Sequence, residues 1–234
     1  MKKIIFTLLF ASSIILTAQE KEEKTFTLSG SVDTYFRGNI SGGNFDTAPG
    51  SSFANQPGFA LGMINLIAGY EGEKVGFVAD MVYGPRGADA VFGSPAGSAQ
   101  IVNQLYAYWN VSEKVTLTLG NFNTFLGYEV ISPTANFNYS TSYLFSYGPF
   151  SHTGIKADIA LSENTSLMLA VMNPTDATEF NPTGNYAFGA QLGFSGQYIN
   201  FLLDNGAYEI DFTGGFDLSE TFFLGVNAAY FSGD

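Results

Sequence analysis

Residues 111–121 read VSEKVTLTLGN, and the phrase returns twice, as LSENTSLMLAV over 161–171 and LSETFFLGVNA over 218–228. Each copy places Ser-Glu and a further polar residue before a strand-like run. A short polar turn feeding a strand, repeated at intervals, is the mark of successive hairpins.

The runs between these turns alternate with a period of two. In FTLSGSVDTYFR, residues 26–37, the even positions Phe26, Leu28, Gly30, Val32 and Phe36 are mostly apolar, while Thr27, Ser29, Ser31, Asp33 and Arg37 are polar. Successive strand side chains point to opposite faces, so this strand has one greasy side and one wet side. The same phase separates Val75, Phe77, Ala79 and Met81 from Asp80. It separates Leu105, Ala107, Trp109 and Val111 from Gln104, Tyr106, Tyr108 and Asn110, and recurs in Ile155, Ala157, Ile159 against Lys156, Asp158 and in Tyr208, Ile210, Phe212 against Glu209, Asp211. Helical periodicity is not evident past residue 19.

Connections come in two lengths that take turns. Short ones lie at EGEK (71–74) and at the serines 112, 162, 195 and 219. Long Gly-, Pro-, Asn- and Ser-rich stretches cover 38–58, 85–99, 129–151 and 174–184. This alternation predicts an all-β chain, a transmembrane antiparallel up-and-down β-barrel with tight periplasmic turns and longer outer loops. The repeated Ser-Glu marks are then the periplasmic ends of hairpins. Counting along the chain gives about eleven strands. Because single-chain bacterial barrels normally have even numbers and must close, the expectation is a truncated piece of a larger barrel, incomplete at its C-terminus.

Composition agrees. The 234 residues carry a formal net charge of −12, with 13% charged and 16% aromatic residues and no cysteine. About a quarter of a soluble domain is charged, so half that proportion points to surface that never meets water. Phe36, Phe59, Tyr70, Tyr83, Trp109 and Tyr128 fall near expected strand ends, as interfacial girdles would; a soluble β-sandwich would not need them there. Lys2 and Lys3, an apolar run over 4–16 and the small Ala18 form a secretory signal peptide over 1–18, followed by a periplasmic leader over 19–25 and the barrel over 26–234. Without Lys2 and Lys3, seven basic residues face 21 acidic ones, which disfavours nucleic acid as a partner. An exported chain without cysteine has no disulfide framework.

Residues 120–129, GNFNTFLGYE, followed by SPTANFNYSTSYLFSYGPFSHTGIKADIAL over 132–161, resemble the central segment of the porin-2 family of β-barrel porins found in Bacteroidetes. Gly120, Phe122, Thr124, Gly127, Tyr128, Glu129, Pro149, His152 and Gly154 carry the resemblance. It implies a Gram-negative outer-membrane barrel with a porin role, no cofactor and no assigned solute. The early stop departs from that pattern.

On strand phase, the residues expected to line the pore are Asp33, Arg37, Asp80, Gln104, Tyr106, Tyr108, Asn110, Lys156, Asp158, Gln191, Glu209 and Asp211. Their acid excess favours cations unless they neutralise one another. The aromatic loop over 131–150 carries Tyr139, Tyr143, Phe145, Tyr147 and Phe150. It either folds into the lumen as a constriction with Glu129 holding its base, or lies over the barrel mouth. His152 is the one histidine; adjacency to Ser151 does not make a nucleophile–base pair, so an enzyme is not expected. One histidine and no cysteine cannot build a transition-metal cluster, and no phosphate-cradling loop opens a helix. The expected function is passive diffusion of small hydrophilic solutes, with cations preferred. The alternative is a non-conducting barrel whose surface loops bind a partner, as an adhesin or anchor would. The expected partners are outer-membrane lipid, small hydrophilic solutes or ions, the barrel-assembly machinery and, if barrels associate, a second copy in a homo-oligomer.

Overall fold

In the computed structural model, residues 24–40, 55–91 and 99–233 are described. The expected signal peptide, most of the leader and the middles of the first two long loops lie outside them.

Eleven strands follow in chain order: β1 (Thr25–Arg37), β2 (Gly58–Glu71), β3 (Val75–Tyr83), β4 (Val102–Ser112), β5 (Val115–Asn123), β6 (Ser151–Ser162), β7 (Thr165–Met172), β8 (Ala187–Phe194), β9 (Gln197–Asp204), β10 (Ala207–Ser219) and β11 (Phe222–Ser232). They form one sheet in which every strand pairs antiparallel with its sequence neighbours. Two short helices interrupt the connections, α1 (Pro85–Ala90) and α2 (Tyr143–Tyr147). Both are too short to leave a period in the sequence. The sheet is open: β1 pairs only with β2, and β11 only with β10.

Period-two alternation sets the two faces. Cross-strand partners share a face, so the register Thr116↔Asp158, Thr118↔Lys156 and Tyr108↔Thr118 puts these polar side chains together, while Trp109↔Leu117 and Leu119↔Ile155 face the other way. The outer face stays uncovered. Leu105, Trp109, Leu119, Ile155, Leu169, Phe188 and Ile199 are all exposed, a continuous apolar surface far beyond what a water-soluble monomer shows.

The core lies inside the curled sheet. Residues 124–150, between β5 and β6, fold inward and contribute side chains to both apolar clusters. Leu126 packs with Phe122, Met168, Met172, Ala187 and Leu202. Ile131, Phe145 and Phe150 pack with Met63, Val82, Ala90 and Val91. A register shift between Val32 and Thr34 lets both Gly62 and Met63 turn inward and become buried. A Cβ on Gly62 would overlap the Asp33 carboxylate.

Two features differ from the sequence expectation. The connection between β9 and β10 lies at the long-loop end yet is only the turn at Asn205–Gly206. Its φ angles of 49° and 89° match the left-handed pair that closes a two-residue hairpin. Tyr128 belongs to the inward segment and stacks edge-on near Phe137, 6.2 Å between ring centres, so it is no part of an outer aromatic girdle.

An outward position at mid-strand tests the faces. Leu119→Arg should destabilise the protein folded in lipid vesicles by roughly 2–4 kcal/mol, read as a shift of its denaturant midpoint.

Candidate functional site: the inward loop and the cavity beneath it

The inward segment is held at both ends and along its length by hydrogen bonds to the inner wall. At its start, Thr124 Oγ1 lies 3.0 Å from His152 Nε2, and the Phe125 ring is 5.1 Å from the imidazole. The amide of Gln191 on β8 donates to the Phe125 carbonyl. Gly127 donates its N–H to Asp211 on β10 at 3.0 Å. Gly127 has φ 71°, and a Cβ there would sit 3.1 Å from Asn227, so both backbone and space call for glycine. At its end, Phe150 and Ser151 both donate their N–H groups to Asp176, at 2.9 and 3.0 Å.

Within the segment, Glu129 bonds to Ser142. Its carboxylate accepts the Ser142 N–H at 2.8 Å and the Ser142 hydroxyl. Ser142 in turn caps α2 by accepting from Phe145 N, the role serine plays at helix starts. Tyr139 reaches β1 and donates its hydroxyl to Asp33 at 2.6 Å. Burial and this donation push the Tyr139 hydroxyl well above its ordinary range. Phe137 stacks on Phe223 of β11, 6.2 Å between centres. One segment therefore touches both outermost strands from within.

Sequence reasoning missed Arg86. It sits on α1, is buried, and donates Nε to the Ile131 carbonyl at 3.0 Å and Nη1 to the Tyr139 carbonyl at 3.1 Å. Its guanidinium lies 5.5 Å from the Tyr139 ring centre. Burial lowers its affinity for a proton, and the charge of Asp33 opposes that. A signal existed, since Arg86 stands between Pro85 and Gly87 just past a strand, in a chain with few basic residues. Asp176, Asn200 and Asn227 were also missed; isolated polar residues in a Gly- and Asn-rich chain carry no mark of their partners.

The expected inward residues fall into three groups. Gln104, Tyr106, Tyr108, Lys156 and Gln191 line a cavity of about 560 Å³ beneath the inward segment. Asp33, Asp80 and Asp211 are buried and do not line it. Asp80 accepts from Asn65, from Asn103 at 2.8 Å and from Gln104 at 3.3 Å. Asp211 accepts from Gly127, Asn200, Thr213 and Asn227. The third group is peripheral. Asp158 pairs with Lys156 at 2.8 Å, Arg37 donates to the Asn55 carbonyl, and Glu209 faces a smaller cavity with Tyr147 and Asp204. Asn110 accepts from Thr116 at 2.9 Å. Tyr143 and Tyr147 are exposed on α2, whose buried side chain is Phe145. No serine hydroxyl or carboxylate hydrogen-bonds His152 among the described residues; its Nε2 is taken up by Thr124.

A family model described as putative beta-barrel porin-2, OmpL-like, matches residues 25–234. A search of curated proteins finds no match to the chain. The chain belongs to that β-barrel porin family.

Two substitutions test the anchoring. Tyr139→Phe removes the donor to Asp33 and leaves a buried carboxylate short of a partner, a loss of about 1–3 kcal/mol; limited proteolysis should then cut within 124–150 faster than in the parent. Burial raises the carboxyl of Asp176 above its usual range, despite the N–H groups of Ser151 and Phe150. A raised acid destabilises the fold wherever it is ionised, and that cost disappears as pH falls through its folded pKa. Asp176→Asn keeps the acceptor and tolerates φ 59°. It should therefore stabilise the protein at neutral pH, with the gain vanishing in acid, as read by denaturation at pH 7 and pH 4.

Proposed function

We propose that this β-barrel porin-family chain is an outer-membrane diffusion channel for small hydrophilic solutes, narrowed by residues 124–150. The observation that carries the reading is the polar cavity of about 560 Å³ between that segment and the inner wall, behind a continuous apolar outer face. A sheet built only as a support would have no use for an interior of hydroxyls and amides. The signal peptide expected over 1–18 supplies the export route.

Cation preference follows from how the inner carboxylates are solvated. Asp80 and Asp211 hydrogen-bond neutral amides, a hydroxyl and a backbone N–H, so their charge is stabilised without being cancelled. Glu129 is held by Ser142 in the same way. Lys156, the cation at the cavity wall, is offset by Asp158. The resulting negative potential in a low-dielectric passage favours cations and repels anions.

A second reading rests on the same segment. Its two apolar clusters fill the long-loop end of the interior, which would suit a closed barrel whose loops bind a partner. Single-channel recording of the full-length folded protein in a planar bilayer under a salt gradient separates the two. Open steps with a reversal potential favouring cations are expected. A silent bilayer, with folding confirmed by heat-modifiable gel mobility, overturns the channel reading and moves function to the loops.

A further inference from the structure

The cavity beneath the inward segment has a chemistry of its own. Its wall includes four tyrosines, four threonines and two glutamines, with no carboxylate. Its one charged side chain, Lys156, has its ammonium 2.8 Å from Asp158 and 5.5 Å from the Phe122 ring centre. The wall itself therefore presents no unpaired ionic group to a solute; Asp80 and Asp211 reach it only through the side chains and the backbone N–H that they hold.

What the wall offers instead is ring faces and hydroxyls. Tyr108 pairs across strands with Gly76, and Tyr198 with Gly193. A Cβ on Gly76 would overlap the Tyr108 phenol, and one on Gly193 would lie 3.0 Å from the Tyr198 ring. The two rings thus lie over strand positions that glycine has left empty, the arrangement in which an aromatic covers a cross-strand glycine. Seated over those positions, both rings form part of the cavity wall. The hydroxyls of Tyr106, Tyr108 and Tyr198 make no hydrogen bond to other described residues. The Gln104 and Gln191 amides are fixed in place by Asp80 and by the Phe125 carbonyl, so the wall is preorganised.

We propose that this cavity is a binding subsite for a neutral polyhydroxylated solute, a short oligosaccharide. Such a solute has an apolar C–H face for the tyrosine rings and rim hydroxyls that both donate and accept, matching the phenol and threonine groups. An apolar solute would leave those groups unpaired, which selects strongly against it. A peptide would bring charged termini to a wall with no free charge. The volume of about 560 Å³ falls within the roughly 300–1,000 Å³ of small-molecule sites. As a station on a permeation path the subsite rests on the channel reading above; as a binding site it can be measured without conduction.

The test is calorimetric titration of the full-length protein, folded in detergent, with maltotriose as the neutral probe and trigalacturonic acid as the anionic one. Saturable binding of maltotriose, tighter than the anionic trisaccharide, is expected. Tyr108→Ala and Tyr198→Ala should each weaken it roughly three- to tenfold, the worth of one aromatic contact. Tyr198→Phe, which keeps the ring and the fold, should weaken it less. No binding, equal binding of both sugars, or alanine variants that bind as the parent does would each overturn the subsite. A protein that conducts but binds no sugar removes the subsite and leaves the channel; one that binds sugar in a silent bilayer does the reverse.

Discussion

A carboxylate inside a membrane-spanning sheet has to be met by protein groups, because leaving it bare costs several kcal/mol. Asp211 shows how this requirement shapes the interior. It gathers Asn200 from β9, Thr213 from its own strand, Asn227 from β11 and the N–H of Gly127 from the inward segment. One side chain therefore joins three strands to the loop that crosses them. Asp80 does the same for β2, β3 and β4 through Asn65, Asn103 and Gln104. Such networks hold position well when every member is satisfied and fail locally when one is removed. The path of residues 124–150 is tied to the Asp211 network at Gly127 as well as to the two apolar clusters.

Strand number, strand phase and the end at which the long loops lie were legible in the sequence, because a period of two and the Ser-Glu turns are local signals. Glu129 and the Ser142 it binds stand only 13 positions apart, yet no pattern in the sequence marks them as partners. The partners of Asp33, Asp176 and Asp211 were not legible either. Tyr139 meets Asp33 across 106 positions of sequence, and nothing in either neighbourhood announces the other. Nor does phase separate a carboxylate that faces open lumen from one buried behind it. Asp80 and Gln104 are both inward by alternation, yet only Gln104 reaches the cavity. Inside and outside follow from a two-residue rule; depth depends on where a distant loop comes to rest.

Charge and shape act at different levels in this interior. The buried carboxylates Asp80 and Asp211 stay off the cavity wall and hold its neighbours in place, while the wall itself is phenol, hydroxyl and amide. Glycine makes that division workable. At Gly76 and Gly193 the missing side chain gives a tyrosine room to lie along the wall, so an aromatic surface is gained without closing the space in front of it.

The turn at Asn205–Gly206 also shapes the mouth. Elsewhere at that end the chain runs through long connections before re-entering the sheet, but between β9 and β10 it reverses within two residues. This tight corner lies beside the small cavity bounded by Tyr147, Asp204 and Glu209. That corner is set by two left-handed residues and not by a loop, so it has little freedom to fold over the small cavity.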